Sequence, residues 1–191
     1  MYHLVAVNPS QLQISKINAY PMKKVNRPIM LFTSKFPSPI GSLRFISTEA
    51  NLKQIILPTQ SLSSRLSHDL ESKEIPILLK CAEQLEEYFT GKRKVFSLPL
   101  EPEGTPFQVK AWMALRTINY GETATYGQQA KVVGAPNGAR PVGSANALNP
   151  LPIILPCHRV IGSDGKLRGY AGGSDLLYIK EYLINHERAN L

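Results

Sequence analysis

Between Met30 and Leu57, β-branched and aromatic residues recur in three short runs, Met30 to Phe36, Ser42 to Thr48 and Gln54 to Leu57, broken by Pro37, Pro39 and Gly41. Short runs separated by turn formers predict a small antiparallel meander. The period changes after Pro76, where Leu78, Ala82, Leu85 and Phe89 fall at helical spacing. Pro76 suits a first turn and Gly91 a helix end, so one amphipathic helix is expected from Pro76 to Thr90. Leu98 to Thr105 then gathers Pro99, Pro102 and Gly104 among acidic residues, which is linker composition.

Beyond that segment the pattern turns helical with short loops. Thr105 is placed to cap a helix whose first residue is Pro106, with Phe107, Ala111, Trp112, Met113, Ala114 and Leu115 supplying its apolar bulk. Thr125 and Gln128 have the spacing of a capping box, opening a short helix that ends at Gly134. Pro136 and Asn137 reset the chain for another short helix running to about Leu148. If Asn137 caps it, Pro141 lies deep enough to remove an intrahelical hydrogen bond, so a later start or a bend is expected. Two short helices around a glycine-containing turn fit either core packing or a helix-turn-helix whose second helix enters a DNA groove. Gly138, Ala139, Gly143, Ser144, Ala145 and Ala147 leave that second helix almost bare on one side, while Arg140 near its start favours an anionic partner.

The predicted architecture is α/β (α+β). An extension at 1–28 precedes an N-terminal sheet-plus-helix domain at 29–100. A linker at 101–105 leads to a mostly helical C-terminal domain at 106–191. Composition adds a partner class: 22 Lys and Arg against 14 Asp and Glu give a formal charge of +8, the balance of a protein that meets a polyanion or of a basic solvated surface. The excess is divided equally on the two sides of Gly104, so no basic tail exists and any nucleic-acid surface must be local. No apolar run reaches membrane-span length and no secretory leader pattern opens the chain. An intracellular protein, cytoplasmic or nuclear, is therefore expected. Residues 1–48 lack Asp and Glu, as transit peptides do, but Arg is scarce there.

The two cysteines, Cys81 and Cys157, are far apart and in no metal-spaced cluster, which argues against a disulfide framework and for a reducing compartment. Cys81 falls on the helix from Pro76 and reads as a small buried residue. Cys157 is different. Ile153 to Cys157 reads as an apolar buried strand delivering a thiol, followed at once by His158 and Arg159. An imidazole and a guanidinium both favour the thiolate that a nucleophile needs. Strand neighbours point to opposite sides, so a Cys-His contact requires a turn at Cys157. A Cys-His pair alone also fits an inert buried cysteine beside a surface histidine.

The longer string narrows this. Asn149-Pro150-Leu151-Pro152 leads into Pro156-Cys157-His158-Arg159-Val160, and Gly165, Gly169, Tyr170, Ala171, Gly172 and Gly173 follow. Together with Gly121-Glu122-Thr123, Tyr126, Arg140 and Val142-Gly143, it resembles the O6-alkylguanine-DNA alkyltransferases from about Phe107 to Glu187. Residues 30–90 match that family only in their strand-then-helix plan. The resemblance implies direct-reversal DNA repair, in which an alkyl group passes irreversibly from O6 of guanine to Cys157, once per molecule and without a cofactor.

By position, the resemblance makes His158 the neighbouring base and Glu187 the acid that orients it, a relay that draws the thiol proton through a water. It makes Asn149 the hinge between recognition helix and cysteine. Tyr126, Val160, Tyr170 and Ala171 are assigned to the base pocket, and Arg140 to the finger that fills the stack once the base has left it. The implied partner is double-stranded DNA containing O6-alkylguanine, met by a monomer, with no membrane role. Asn146 departs from the small or apolar residues usual in the family at that position. Some relatives hold zinc in the N-terminal half; Cys81, His3 and His68 lack matching spacing, so no metal is expected. A base-flagging binder, a cysteine hydrolase and a transcription factor are the rival classes. The presence of Cys157 opposes the first, burst-only kinetics would exclude the second, and the small-residue helix lacks the base-reading side chains of the third.

Overall fold

Strand β1 (Leu31–Ser38) and strand β2 (Gly41–Ser47) form a hairpin whose register runs from Phe32 opposite Ser47 to Ser38 opposite Gly41. Alternation puts Leu43 and Phe45 of β2 inside, both fully buried, and a third antiparallel strand, β3 (Leu52–Ile56), closes the expected meander. These features come from the computed structural model of the chain, which describes residues 30–61 and 70–191. The predicted extension at 1–28, with His3, and also His68 lie outside the described residues. The sheet is not purely antiparallel. A short strand β4 (Leu70–Ser72) joins β1 in parallel, giving the order β3-β2-β1-β4. Three residues are too few to show a period in the sequence.

Helix α1 (Pro76–Phe89) begins with its proline as anticipated and ends one residue before Thr90, whose N–H and hydroxyl both bond the Glu86 carbonyl. Its apolar stripe, with Leu78, Cys81, Leu85 and Tyr88, is buried against the sheet. Burial of such side chains contributes about 1.5–3 kcal/mol each.

In the second half, helix α2 (Pro106–Ala114) opens with a full capping box between Thr105 and Gln108. A second box, Thr125 with Gln128, opens helix α3 (Tyr126–Val132) directly after the two-residue strand β5 (Ala124–Thr125). Helix α4 (Ala139–Ala147) is capped by Gly138, one residue later than Asn137. Pro141 is then its third residue, where no backbone N–H has an intrahelical partner, and the first helical bond runs from Val142 to Gly138 at 2.9 Å. The helix has the later start that Pro141 called for, and no intrahelical bond is lost.

The expected strand at Ile153–Cys157 does not form. Residues 151–155 are a turn, with Ile153 at φ 74°, a left-handed conformation that a β-branched residue adopts at a cost of about 1–3 kcal/mol. The Asn149 side chain takes the place of a ladder, donating to the Leu155 carbonyl at 2.7 Å and accepting from Leu151 N–H at 3.0 Å. A single 3-10 turn, Cys157–Arg159, follows. It passes into strand β6 (Val160–Ile161), paired in parallel with β5, and the chain ends in helix α5 (Leu177–Ala189).

One apolar cluster crosses the segment read as a linker, holding Phe32, Phe45 and Leu85 from one half together with Trp112, Leu155 and Leu183 from the other. Backbone bonds cross it too: Ile55 N–H donates to the Pro150 carbonyl at 2.8 Å. A smaller cluster of Ala111, Ala130, Val133, Val142 and Ala145 packs α2, α3 and α4 together. Its small side chains let the helices approach until Trp112 Nε1 donates to the Ala145 carbonyl at 2.7 Å. Among the described residues no helix is long and apolar enough to cross a membrane.

Candidate active site

The 3-10 turn decides where the chemistry points. It places Cys157 and His158 in one tight bend, satisfying the need for a turn at the cysteine, and both are buried. Burial pushes the Cys157 thiol above its ordinary value, while Asn149 and the charge of Lys180 oppose that rise. His158 is fully enclosed, and burial holds its imidazole below the usual range despite the nearby Glu187. It is therefore a neutral ring. Its Nε2 lies 2.7 Å from Glu187 Oε1. A carboxylate only accepts, so Nε2 carries the proton and Nδ1 keeps a lone pair. Nδ1 is buried and has no protein partner.

Glu187 is the hub. Besides His158 it accepts from Tyr88 Oη at 2.8 Å, from Arg159 Nε and Nη2 at 2.9 and 3.0 Å, and from Gly121 N–H at 3.0 Å. Burial alone would raise its carboxyl, but the hydrogen bonds from His158 and Arg159, with the charge of Arg159, prevail and hold it well below the usual carboxylate range. Arg159 thus serves the carboxylate, with its Nη1 on the Ile118 carbonyl at 2.7 Å. The cation that opposes the rise of the Cys157 thiol is instead Lys180, which corrects the expectation that Arg159 favours the thiolate. Lys180 is buried, donates to the Val160 and Leu167 carbonyls, and is pulled down to about 8 by burial, with the Cys157 charge opposing.

In front of this hub opens a cleft of about 1200 Å³. Cys157, Tyr126, Arg140, Tyr170 and Ala171 line it together, although they are separated by up to 45 residues of sequence. Arg140 is exposed near the start of α4, and Tyr126, half-buried, opens α3. Tyr170 is buried with a hydroxyl that has no protein partner, and Ala171 sits at φ 47° with its carbonyl accepting from Gln60 at 3.3 Å. Val160 does not reach the cleft: it is fully buried in β6, and what it offers is its carbonyl to Lys180. Cys81, the other thiol, is pushed up to about 12 by burial alone. Among the described residues no group of three or more His, Cys, Asp and Glu side chains is gathered as metal ligands.

The profile of the 6-O-methylguanine DNA methyltransferase DNA-binding domain matches residues 106–189, and that of the same protein's ribonuclease-like domain matches 31–102. The chain belongs to the 6-O-methylguanine DNA methyltransferase family. It is similar to the constitutive methylated-DNA–protein-cysteine methyltransferase of Bacillus subtilis, with 44% identity over 79% of this chain and 92% of that protein. A Methanosarcina barkeri protein of the same name is 47% identical over 81% of this chain and 95% of its own length. Among solved structures, Mycobacterium tuberculosis OGT in complex with DNA superposes with a TM-score of 0.74 at 39% identity, covering 83% of this chain and 94% of that one. In this methyltransferase-family chain, sequence reasoning missed Tyr88, the Gly121 N–H and the part played by Lys180. Only Lys180 left a signal: a lysine on the buried stripe of α5 with Leu183, Ile184 and Glu187 is an interior cation in need of a partner.

Proposed function

We propose that the protein repairs DNA by direct reversal, moving an alkyl group from O6 of guanine in double-stranded DNA to Cys157 Sγ. The observation that carries this reading is the buried Glu187–His158 pair, whose histidine shares one turn with a thiol that lines the cleft. Glu187 fixes the imidazole with its Nδ1 lone pair unengaged, so His158 is the base that takes the Cys157 proton, through a bridging water. Lys180 supports the thiolate that results. The sulfur then forms a bond to the alkyl carbon as the carbon–O6 bond breaks. Its electron pair leaves with guanine, which takes a proton from the Tyr126 hydroxyl on the cleft wall, and the proton held by His158 returns through water to that phenolate. A thioether cannot return to a thiol by this route, so each monomer acts once and needs no cofactor.

The target atom is out of reach inside a duplex, and the base must leave the stack. Arg140, exposed on the cleft rim at the head of a helix with small side chains, is the group that occupies the gap. Tyr170 and Ala171 bound the pocket that receives the base. Exposed cations beside the cleft, such as Lys131 and Arg168, meet phosphates, which makes binding salt-dependent and largely indifferent to unmodified sequence.

Intact mass after mixing with an O6-methylguanine duplex tests the proposal. The protein gains the mass of one methyl group, on a Cys157 peptide, with one equivalent of product, and Cys157→Ser gains none while still binding DNA. Arg140→Ala slows the duplex reaction far more than the reaction with free O6-benzylguanine. Multiple turnovers, methyl on Cys81, or full transfer by the serine variant would overturn the assignment.

A further inference from the structure

A second cleft lies behind the turn that carries Cys157, and no residue lines both. It encloses about 110 Å³, comparable to the cavities that accept a benzene-sized molecule. Ile153, Ile154 and Pro156 reach it from the active-site turn, and Phe96 from the segment after α1. Its charged lining is of one sign: Lys94, Arg116 and Arg159, with no acidic residue. Lys94 and Arg116 have no ion pair among the described residues. The Tyr120 ring gathers two of these cations, with Lys94 Nζ 5.6 Å and Arg159 Cζ 5.7 Å from its centroid. Arg159 is buried, and its three hydrogen bonds to Glu187 and Ile118 leave guanidinium N–H groups without a protein acceptor.

An apolar wall of benzene-sized capacity beside unpaired cations is the complement of one chemical class. We propose that this cleft binds a small organic carboxylate, its apolar body against Ile153, Ile154 and Phe96 and its charged end towards Lys94, Arg116 and the unused N–H groups of Arg159. A planar two-oxygen group matches the guanidinium fork. An inorganic phosphate satisfies the charge but leaves the apolar wall uncovered, and a neutral ring does the reverse. The site is read by binding alone, so it stands or falls independently of the alkyl-transfer reading.

The test uses the full chain with isotope-labelled isoleucine methyl groups, titrated with benzoate, with benzyl alcohol and with inorganic phosphate. Benzoate is expected to shift Ile118, Ile153 and Ile154, which line the cleft, in a saturable manner, with Ile179 and Ile184 of α5 unmoved. Benzyl alcohol and phosphate bind more weakly by about tenfold, the worth of one charge-assisted hydrogen bond. The double variant Lys94→Ala, Arg116→Ala changes only exposed residues and weakens benzoate by a similar factor. Absence of saturation at millimolar benzoate would overturn the proposal. So would shifts centred on Ile179 and Ile184, equal binding of the alcohol or of phosphate, or a double variant that binds benzoate as tightly as the parent.

Discussion

Replacing Glu187 with Gln changes one atom of the side chain and separates the two things the carboxylate does. Five hydrogen bonds converge on it, three at Oε1 from Tyr88, His158 and Arg159 and two at Oε2 from Gly121 and Arg159. An amide offers one accepting oxygen, and it will settle where three donors meet. His158 then keeps its tautomer, but Gly121 N–H and Arg159 Nε face a donor, and a guanidinium that is 6% exposed loses its counter-charge. Removing one partner of a buried ion pair costs about 3–5 kcal/mol, which for a chain of this size lowers the melting temperature by roughly 6–20 °C. The second loss is chemical. The imidazolium formed when His158 takes a proton no longer sits beside an anion, and its basicity falls, slowing transfer by roughly tenfold to a thousandfold per folded molecule. Urea unfolding reads the first quantity, and single-turnover transfer from an O6-methylguanine duplex, below the variant's melting temperature, reads the second. A variant as stable as the parent within about 0.5 kcal/mol would refute the ion-pair argument. One that is destabilised yet transfers at the parental rate would show that His158 is not the base.

Other perturbations follow the same physical reasoning. Asn149→Ala deprives the Leu155 carbonyl and Leu151 N–H of their partners and should cost about 1–3 kcal/mol in a denaturant titration; a neutral outcome would mean that the turn holds itself. Lys180→Met removes the charge that supports the thiolate, so the pH midpoint for Cys157 alkylation should move upward, and an unchanged midpoint would exclude Lys180 from the electrostatics of the site. Both His158 and Glu187 have folded-state values below their ordinary 6.5 and 4.5, so at acid pH the unfolded chain binds more protons. Stability should therefore decline as pH falls below 6.5 and again below 4.5, and a flat urea midpoint from pH 7 to about pH 4 would contradict the buried neutral imidazole. Gln60→Ala releases the Ala171 carbonyl and should raise the benzyl-to-methyl transfer ratio by roughly twofold to fivefold; an unaltered ratio would make that bond irrelevant to pocket size.

Where a local signal dictates local structure, the sequence was a good guide. Thr105 and Thr125 cap because each has a glutamine three residues on, and α1 starts at its proline. The family resemblance made the cleft residues Tyr126, Arg140, Tyr170 and Ala171 and the neighbouring His158 legible, whereas the turn at Cys157 stood only as a condition for a Cys–His contact. What escaped was non-local. An apolar run of five residues reads as a strand, but whether it finds a ladder depends on its neighbours; here the Asn149 amide claims Leu155, and Ile153 is forced into a left-handed turn. Tyr88 reaches Glu187 across 99 positions, a contact that no periodicity encodes. The resemblance assigns Val160 to the base pocket, yet in β6, paired with β5, its side chain is fully buried.

The apolar cluster that passes beneath residues 98–105 makes this proline-rich stretch a matter of connectivity more than of cohesion. A chain cut there would yield two polypeptides held by a common interior and by the Ile55–Pro150 backbone bond. The reacting groups Cys157, His158 and Glu187 would stay on the second piece, while Tyr88, one of the donors that hold Glu187, would belong to the first. Re-association with the first piece would restore the Tyr88 bond to Glu187 and the shared interior, and each such event would be recorded permanently as a thioether on Cys157.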